Sequence, residues 1–519
     1  MGLAAEVCHR ERFSAARSYS LEIEGKLSSN EMVRKTHEEL EEFASDAGRE
    51  WARRMLQDHL DLRAELEQRV HVEGSDGVVR SSTRQSQRQL KTVVGEVDVS
   101  RLAYQAAGAA GLHPADAALG LPPEMYSLGV RKLVAKYASK LSYDDVIEVV
   151  RDGTGVTIGK RQIEELAQRA AQDFDEFYDG YASRAAASEP THALLVITTD
   201  GKGIAMRHAD LRPATKKAAE ASRRRLETRL APGEKGNRKR MAQVASVYSV
   251  EPHARTAADL IRSLRTEDSE KTKRPRPTNK RVWASVDKDC RVVIREAFAE
   301  ALKQDPTQSR RWVVLVDGSA TQLKAVKAEA KRAGVKVTIL LDIIHVIEYL
   351  WQASHALFGT SNPKGESWVG DRLLALLSGS SGGEVAKTIR WWARRAKGLD
   401  RAQIAALAAV CRYLANKTRT RLMHYADALR DGLPIATGVI EGACRHLVQD
   451  RMGVGGARWS LTGAEAILRL RALRASRDFD EYWEFHLVQE RSRNHASQYA
   501  GGEPPSPLPP PRRQLRRVK

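Results

Sequence analysis

The sequence predicts an α/β core that carries an all-α insertion, preceded by a mainly helical region containing a β-hairpin and a helix-turn-helix. Three observations predict this. Two runs of branched apolar residues, LLVITTDGKG from 194 and RWVVLVDGSA from 311, each end in an acid followed by glycine. Continuous runs of that length bounded by turn residues suit strands buried on both faces. Helical periodicity dominates before residue 190 and again from 360 to 430, and 519 residues exceed what one core can hold.

Residues 1–80 form the helical N-terminal region. From 30 to 70 the chain has one Gly, no Pro and apolar residues at three- and four-residue spacing, which predicts one or two long helices. Residues 81–190 follow as a hairpin and helix-turn-helix. RQLKTVVGEVDVSRLAY alternates around Gly95, so it reads as a hairpin made basic by Arg88, Lys91 and Arg101. YDDVIEVVRDGTGVTIGKRQIEELAQRAAQDFDEFY reads as helix, Gly turn and helix, with Ser142 and Asp145 placed for a capping box. The second helix opens on Lys160, Arg161 and Gln162, residue types that suit phosphates and base edges. Plain helix packing explains the same layout, and only the basic character of the chain favours the DNA reading.

Residues 191–358 make the first part of the core. Strand 194–199 is followed by a second strand, GIAMRH, and by TKKAAEASRRRLETRLAPGEKGNRKRMA, whose charge density predicts a mobile segment. Strand 242–250 comes next. A Lys-, Arg- and Pro-rich linker, EKTKRPRPTNKR, then leads to the helix CRVVIREAFAEALK, strand 313–316, a helix, the strand VKVTILLD and the helix HVIEYLWQASHALF. Residues 359–430 are the helical insertion, 431–490 the last part of the core, and 491–519 a disordered, basic, Pro-rich tail.

A net charge of +19 with clustered Lys and Arg favours a polyanionic partner, nucleic acid first. No run of 18 apolar residues exists, and MGLAAEVCHRERF lacks the apolar core of a signal peptide, so the expectation is a cytoplasmic protein without membrane partners. Cys8, Cys290, Cys411 and Cys444 are scattered, which supports neither a disulfide framework nor a zinc ribbon.

Asp200 and Asp317 occupy equivalent places, each at the end of an apolar run. Asp200 alone reads equally as a turn former, but function gathers at strand ends in such sheets. Carboxylates there suit Mg²⁺, a hard cation that takes oxygen ligands, and a pair of ions about 4 Å apart activates one oxygen while stabilising another. A third acid is then needed. Asp342, Glu348 and Glu441 are candidates, and Glu441 sits early in a helix with Arg445 four residues on, hence on the same helical face. His345, Glu348 and His355 suggest a metal site, but the H-E-x-x-H order of zinc enzymes is absent.

Asp200, Asp317 and Glu441, in the order strand end, strand end, helix, resemble the DDE triad of RNase H-like transposases. The phrases VLVDGSATQL, DIIHVIEYLW and GVIEGACRHLVQDRMGVGGARWS are similar to those of bacterial insertion-sequence transposases of the ISKra type. TVVGEVDVSRLAY, LGLPPEMYS, TTDGKG and GEKGNRKRMA extend the likeness over most of residues 88 to 475.

The resemblance implies an RNase H-like core in which Asp200, Asp317 and Glu441 are catalytic and hold two Mg²⁺ ions, with Mn²⁺ as a substitute. It implies that Asp342 and His345, in a D-x-x-H element, support the site. Lys202, Arg445, Arg451, Arg458 and Trp459 would contact DNA, Trp459 either stacking on an unpaired base or filling the core. The implied protein is a DNA transposase that binds terminal inverted repeats and carries out strand cleavage and transfer into target DNA, as a homodimer or larger assembly at the bacterial nucleoid. An RNase H-like nuclease or resolvase, or a non-catalytic DNA-binding relic, are the alternatives. One position departs from the pattern: the Lys or Arg that many such enzymes carry seven residues after the Glu is Val448 here.

Overall fold

The N-terminal periodicity becomes two helices in the computed structural model, which describes residues 11–180, 193–221, 236, 238–264, 274–436 and 438–509. These are α1 (Ser14–Leu27) and α2 (His37–Leu66). α2 starts at Thr36, whose hydroxyl accepts from Glu39 N while the Glu39 carboxylate accepts from Thr36 N. That reciprocal box satisfies two otherwise orphaned donors. β1 (Ser82–Thr92), β2 (Gly95–Ala106) and β3 (Ala109–Leu112) form an antiparallel sheet in that order. Five helices follow: α3 (Pro114–Leu119), α4 (Leu128–Ala138), α5 (Tyr143–Thr154), α6 (Lys160–Ala170) and α7 (Phe174–Gly180). Ser142 and Asp145 close the predicted capping box on α5, and Gly155 ends that helix in the left-handed conformation.

The chain divides into two compact units, Met1–Tyr178 with Phe479–Lys519, and Asp179–Asp478. The second unit is built on β4 (Leu194–Ala205), α8 (Pro213–Glu220), β5 (Lys239–Val250), α9 (Ala257–Leu264), β6 (Thr278–Ser285), α10 (Cys290–Gln304), β7 (Trp312–Val316), α11 (Ala320–Ala333) and β8 (Val337–Leu341). Helices α12 (Ile343–Phe358), α13 (Pro363–Leu377), α14 (Gly382–Arg395), α15 (Arg401–Arg419), α16 (Tyr425–Arg430) and α17 (Gly438–Ala443) come next. A π-helical segment, Cys444–Gln449, and α18 (Leu461–Ser476) complete it.

The five strands form one mixed sheet in the order β6-β5-β4-β7-β8. β4 pairs antiparallel with β5 and parallel with β7, which pairs parallel with β8. Leu194, Val196, Val313, Leu315 and Leu340 bury one face against helices α12 to α16, while α10 packs on β4 and β5 and α18 on β6. Alternate residues of a strand point to opposite faces, so a sheet covered on both sides needs the continuous apolar runs seen here.

Several expectations are corrected. The predicted strands 194–199 and GIAMRH are one strand, paired to β5 from Leu194↔Val250 to Ala205↔Lys239. Gly201 and Gly203 do not end it because the antiparallel ladder continues across them. The last four residues of the expected linker, 278–281, open the strand β6, whose Val282, Trp283 and Ala284 are buried. The segment read as mobile, 215–242, begins inside helix Pro213–Glu220 and ends inside strand Lys239–Val250, and its residues 222–235 and 237 lie outside the described residues. The last part of the core stops at Asp478, because α19 (Phe479–Asn494) belongs to the first unit. Residues 491–509 of the predicted disordered tail are placed, with Gln68 N donating to Pro507 O at 2.7 Å and Tyr499 buried; residues 510–519 lie outside the described residues. Among the described residues no helix is long and apolar enough to cross a membrane.

A buried polar network ties α19 to α4. The Arg131 guanidinium, 1 % exposed, donates to Glu490 and Glu124. His486 Nδ1 lies 2.6 Å from Asp173, and Arg493 reaches both Asp173 and Glu490. Removing one partner of a buried pair strands the other charge, at about 3–5 kcal/mol. Arg131→Met is therefore expected to lower the stability of the first unit by that amount in a denaturant titration, and wild-type stability in the variant would contradict the role assigned to the network.

Candidate active site

The site begins with strand register. β4 and β7 pair from Leu195↔Trp312 to Thr198↔Leu315, and β7 and β8 pair from Trp312↔Val337 to Val316↔Leu341. Asp200 stands two residues beyond Thr198, and Asp317 two beyond Leu315. Asp342 directly follows Leu341, as Asp317 follows Val316. Continued by those few residues, the two ladders bring Asp200, Asp317 and Asp342 into one row across adjacent strands, whose spacing is about 4.8 Å. Asp200 and Asp317 share the sheet face of Val196 and Leu315, since strand side chains repeat every second residue.

Asp317 and Asp342 follow the ends of their strands as the sequence predicts. Asp200 does not: it lies inside β4, opposite Val244. What ends beside it is the shorter strand β7, so its carboxylate stands at the edge of the parallel part of the sheet.

Backbone donors fix one oxygen of each acid. Gly201 N donates to Asp200 Oδ1 at 2.6 Å, Ser319 N to Asp317 Oδ1 at 2.7 Å, and Ile344 N to Asp342 Oδ1 at 3.0 Å. Buried Gln322 ties the first two positions together. Its Nε2 donates to Thr199 O at 2.9 Å and Thr199 Oγ1 at 2.7 Å, while its Oε1 accepts from Asp317 N at 3.1 Å. Gly318 turns the chain out of β7 at φ 85°, where an added Cβ would come within 2.7 Å of Leu341 Cδ1 and of Lys417 Nζ. Only glycine suits both demands. Lys417, on α15, donates to Gly318 O; burial lowers its pKa and the nearby Asp317 opposes that shift.

Glu441 enters from α17, which packs on β4 and β5. Partial desolvation raises its pKa, followed by the negative charge of Asp342; His345 opposes, and Glu348 and Asp200 add to the rise. Three residues on, buried Cys444 places its Sγ 3.3 Å from Asp200 Oδ2 and donates to it. Burial, then Asp200, push that thiol up. Cys444, Gln322 and Lys417 were not singled out from sequence. For Cys444 a signal existed, its i+3 spacing from Glu441.

The remaining expected site residues divide. Lys202 lies two residues beyond Asp200 on β4, hence on the same face. His345 pairs with Glu348 at 3.3 Å. Arg445 is exposed, 3.8 Å from Asp450, in the π-helical segment that follows Ala443. Val448, the departure from pattern, is buried. Arg458 is exposed. Arg451 and Trp459 are buried against each other, the guanidinium carbon 4.7 Å from the ring centroid and Trp459 Nε1 donating to Met452 O at 3.2 Å. Trp459 thus takes the core alternative, and neither side chain offers a surface to DNA. In the first unit Lys160 pairs with Asp144 at 2.7 Å and Arg161 with Glu165 at 2.9 Å, both exposed at the start of α6 beside half-buried Gln162.

Among the described residues no three His, Cys, Asp or Glu side chains close into a finished metal cage. The donor set nevertheless fits a hard divalent cation: it is carboxylate oxygen, and its crowded charge, visible in the raised Glu441, is what such a cation relieves. Comparison with protein-family models and with curated proteins gives no match to this chain.

The shift of Glu441 has a definite sign. A raised carboxyl disfavours its charged form in the folded chain, so the destabilisation is absent below the unfolded pKa of about 4.3 and present once pH has risen through the folded value. Glu441→Gln is expected to melt higher than wild type at about pH 7 in EDTA, with no gain near pH 3.5 and a smaller gain in Mg²⁺. Equal melting temperatures at neutral pH in EDTA would contradict the crowding.

Proposed function

We propose that this protein is a DNA transposase of the DDE type, with Asp200, Asp317 and Glu441 as its catalytic acids and the second unit as an RNase H-like core. The observation that carries the reading is the register of β4 and β7, which aligns Asp200 with Asp317 on one sheet face beneath the helix that bears Glu441. The ordered phrases that resemble those of insertion-sequence transposases support it, as does the charge of +19.

Asp200 and Asp317 would hold one Mg²⁺ together, and Glu441 would complete a second site with one of them. Bound Mg²⁺ supplies a more acidic water and neutralises charge on the reacting phosphate. The chain's own part is positional. Gly201 N, Ser319 N and Cys444 Sγ hold the carboxylates in fixed orientations, and Gln322 keeps the two strands in step. Lys417, which donates to Gly318 O beside Asp317, would add positive charge next to the acids. Asp342 and His345 support the row. Water and then the freed 3′-OH are the nucleophiles, so no covalent protein–DNA intermediate is required. The first unit would bind the terminal inverted repeats, with exposed Lys160 and Arg161 as candidate contacts and Lys202, Arg445 and Arg458 nearer the acids. Pairing of two element ends requires a dimer or larger assembly.

The test uses purified protein, a labelled DNA end from the flanks of its own gene and a supercoiled target. Wild type is expected to nick and join the end in Mg²⁺ and not in EDTA, with both steps reduced at least about a hundredfold in Asp317→Asn. Nicking without joining assigns a nuclease, and binding without cleavage contradicts the catalytic reading. Affinity for the end should fall steeply with salt, by about 0.9 log units per log unit of salt for each phosphate contacted.

A further inference from the structure

α15 leads away from the acids. At its C-terminal end Lys417 holds Gly318 O beside Asp317. One residue earlier, Asn416 lines a cleft of about 840 Å³ between α14 and α15. Its walls are largely apolar, formed by Leu399, Leu407, Ala408 and Cys411 among others, and three exposed arginines also line it, Arg390 and Arg394 from α14 and Arg412 from α15. Among the described residues no carboxylate pairs with any of the three. Uncompensated arginines around an apolar cavity call for a ligand that joins negative charge to a flat apolar body.

Resting on the proposed function, we infer that this cleft receives unpaired nucleotides of the DNA strand that leaves the acid row, bases against the apolar walls and phosphates on Arg390, Arg394 and Arg412. The reach agrees. From Lys417 back to Ile404, the far lining residue of α15, the helix spans about 20 Å, the length of about six nucleotides at duplex spacing and fewer when extended. A duplex satisfies the arginines only, because its bases are stacked away from the walls; single strands use basic grooves and base contacts together. Arg–phosphate contacts are strong and directional. The cleft thus prefers ends that are frayed or carry a single-stranded tail.

The experiment compares a blunt duplex end with the same end bearing a single-stranded tail of about five nucleotides, by fluorescence anisotropy in EDTA. Two variants are used. Arg390→Ala/Arg394→Ala/Arg412→Ala removes the charges, and Ala408→Trp fills the cleft from an exposed position while leaving them. Wild type is expected to favour the tailed end on the order of tenfold, and both variants to lose that ratio. Equal binding of the two ends by wild type, or a preserved ratio in Ala408→Trp, overturns the inference. A short acidic peptide that displaces the tail only from the triple variant's parent, with no difference between tailed and blunt DNA, also overturns it and marks a protein-docking cleft. Cleavage in Mg²⁺ is scored separately, so a tail preference without cleavage upholds the cleft and sinks the catalytic reading, whereas cleavage without a tail preference does the reverse.

Discussion

The parallel pairing of β4 with β7 is the constraint on which the rest of the second unit depends. A slip of one residue between these strands would put Asp200 and Asp317 on opposite faces, because side chains alternate strictly along a strand. Several independent features hold the register. Val196 and Leu315 are buried in the same core as helices α12 to α16, so a slip would take one strand's apolar side chains out of that core. Gln322 bonds to both strands just where the ladder between them ends. Gly318 then lets the chain turn sharply enough for Asp317 to stay in line with Asp200 and Asp342.

Alignment brings like charges together, and the surrounding structure is arranged around that repulsion. Backbone N–H groups each take one oxygen of Asp200, Asp317 and Asp342 and so fix the orientation of the carboxylates. Among the described residues no backbone N–H is bonded to Glu441, and partial burial with the charge of Asp342 raises its pKa. Cys444 connects the two sides of the site, since the helical segment that follows Glu441 donates its thiol to Asp200. A hard cation shared among these oxygens would turn the repulsion into binding energy.

Much of this arrangement was legible in the sequence. The runs ending at Asp317 and Asp342 read as strands because burial on both faces demands unbroken apolar residues, and Glu441 read as helical from its surroundings. What was not legible depends on partners distant in the chain. β4 continues through Gly201 and Gly203 only because β5, some forty residues on, supplies the ladder. β6 is recognised as a strand once β5 lies beside it. Arg451 reads as a DNA contact and Trp459 as either a stacking or a core residue, whereas folding packs the two against each other in the interior. The π-helical segment after Ala443, Cys444–Gln449, has no signature in the residue pattern. α19 was assigned to the core by proximity in sequence, although its buried charges match Arg131 far upstream.

The central claim is that three acids, from two adjacent strands and a helix, form one metal-binding centre for phosphoryl transfer. Calorimetric titration of the metal-free protein with Mn²⁺ tests it most directly, comparing wild type with Asp200→Asn, Asp317→Asn and Glu441→Gln. The account predicts that wild type takes up two ions in competition with Mg²⁺, that either Asp variant loses the tighter one, and that Glu441→Gln keeps one. Uptake that is unchanged across all three variants, or absent from a wild type that still binds and cleaves DNA, would contradict it.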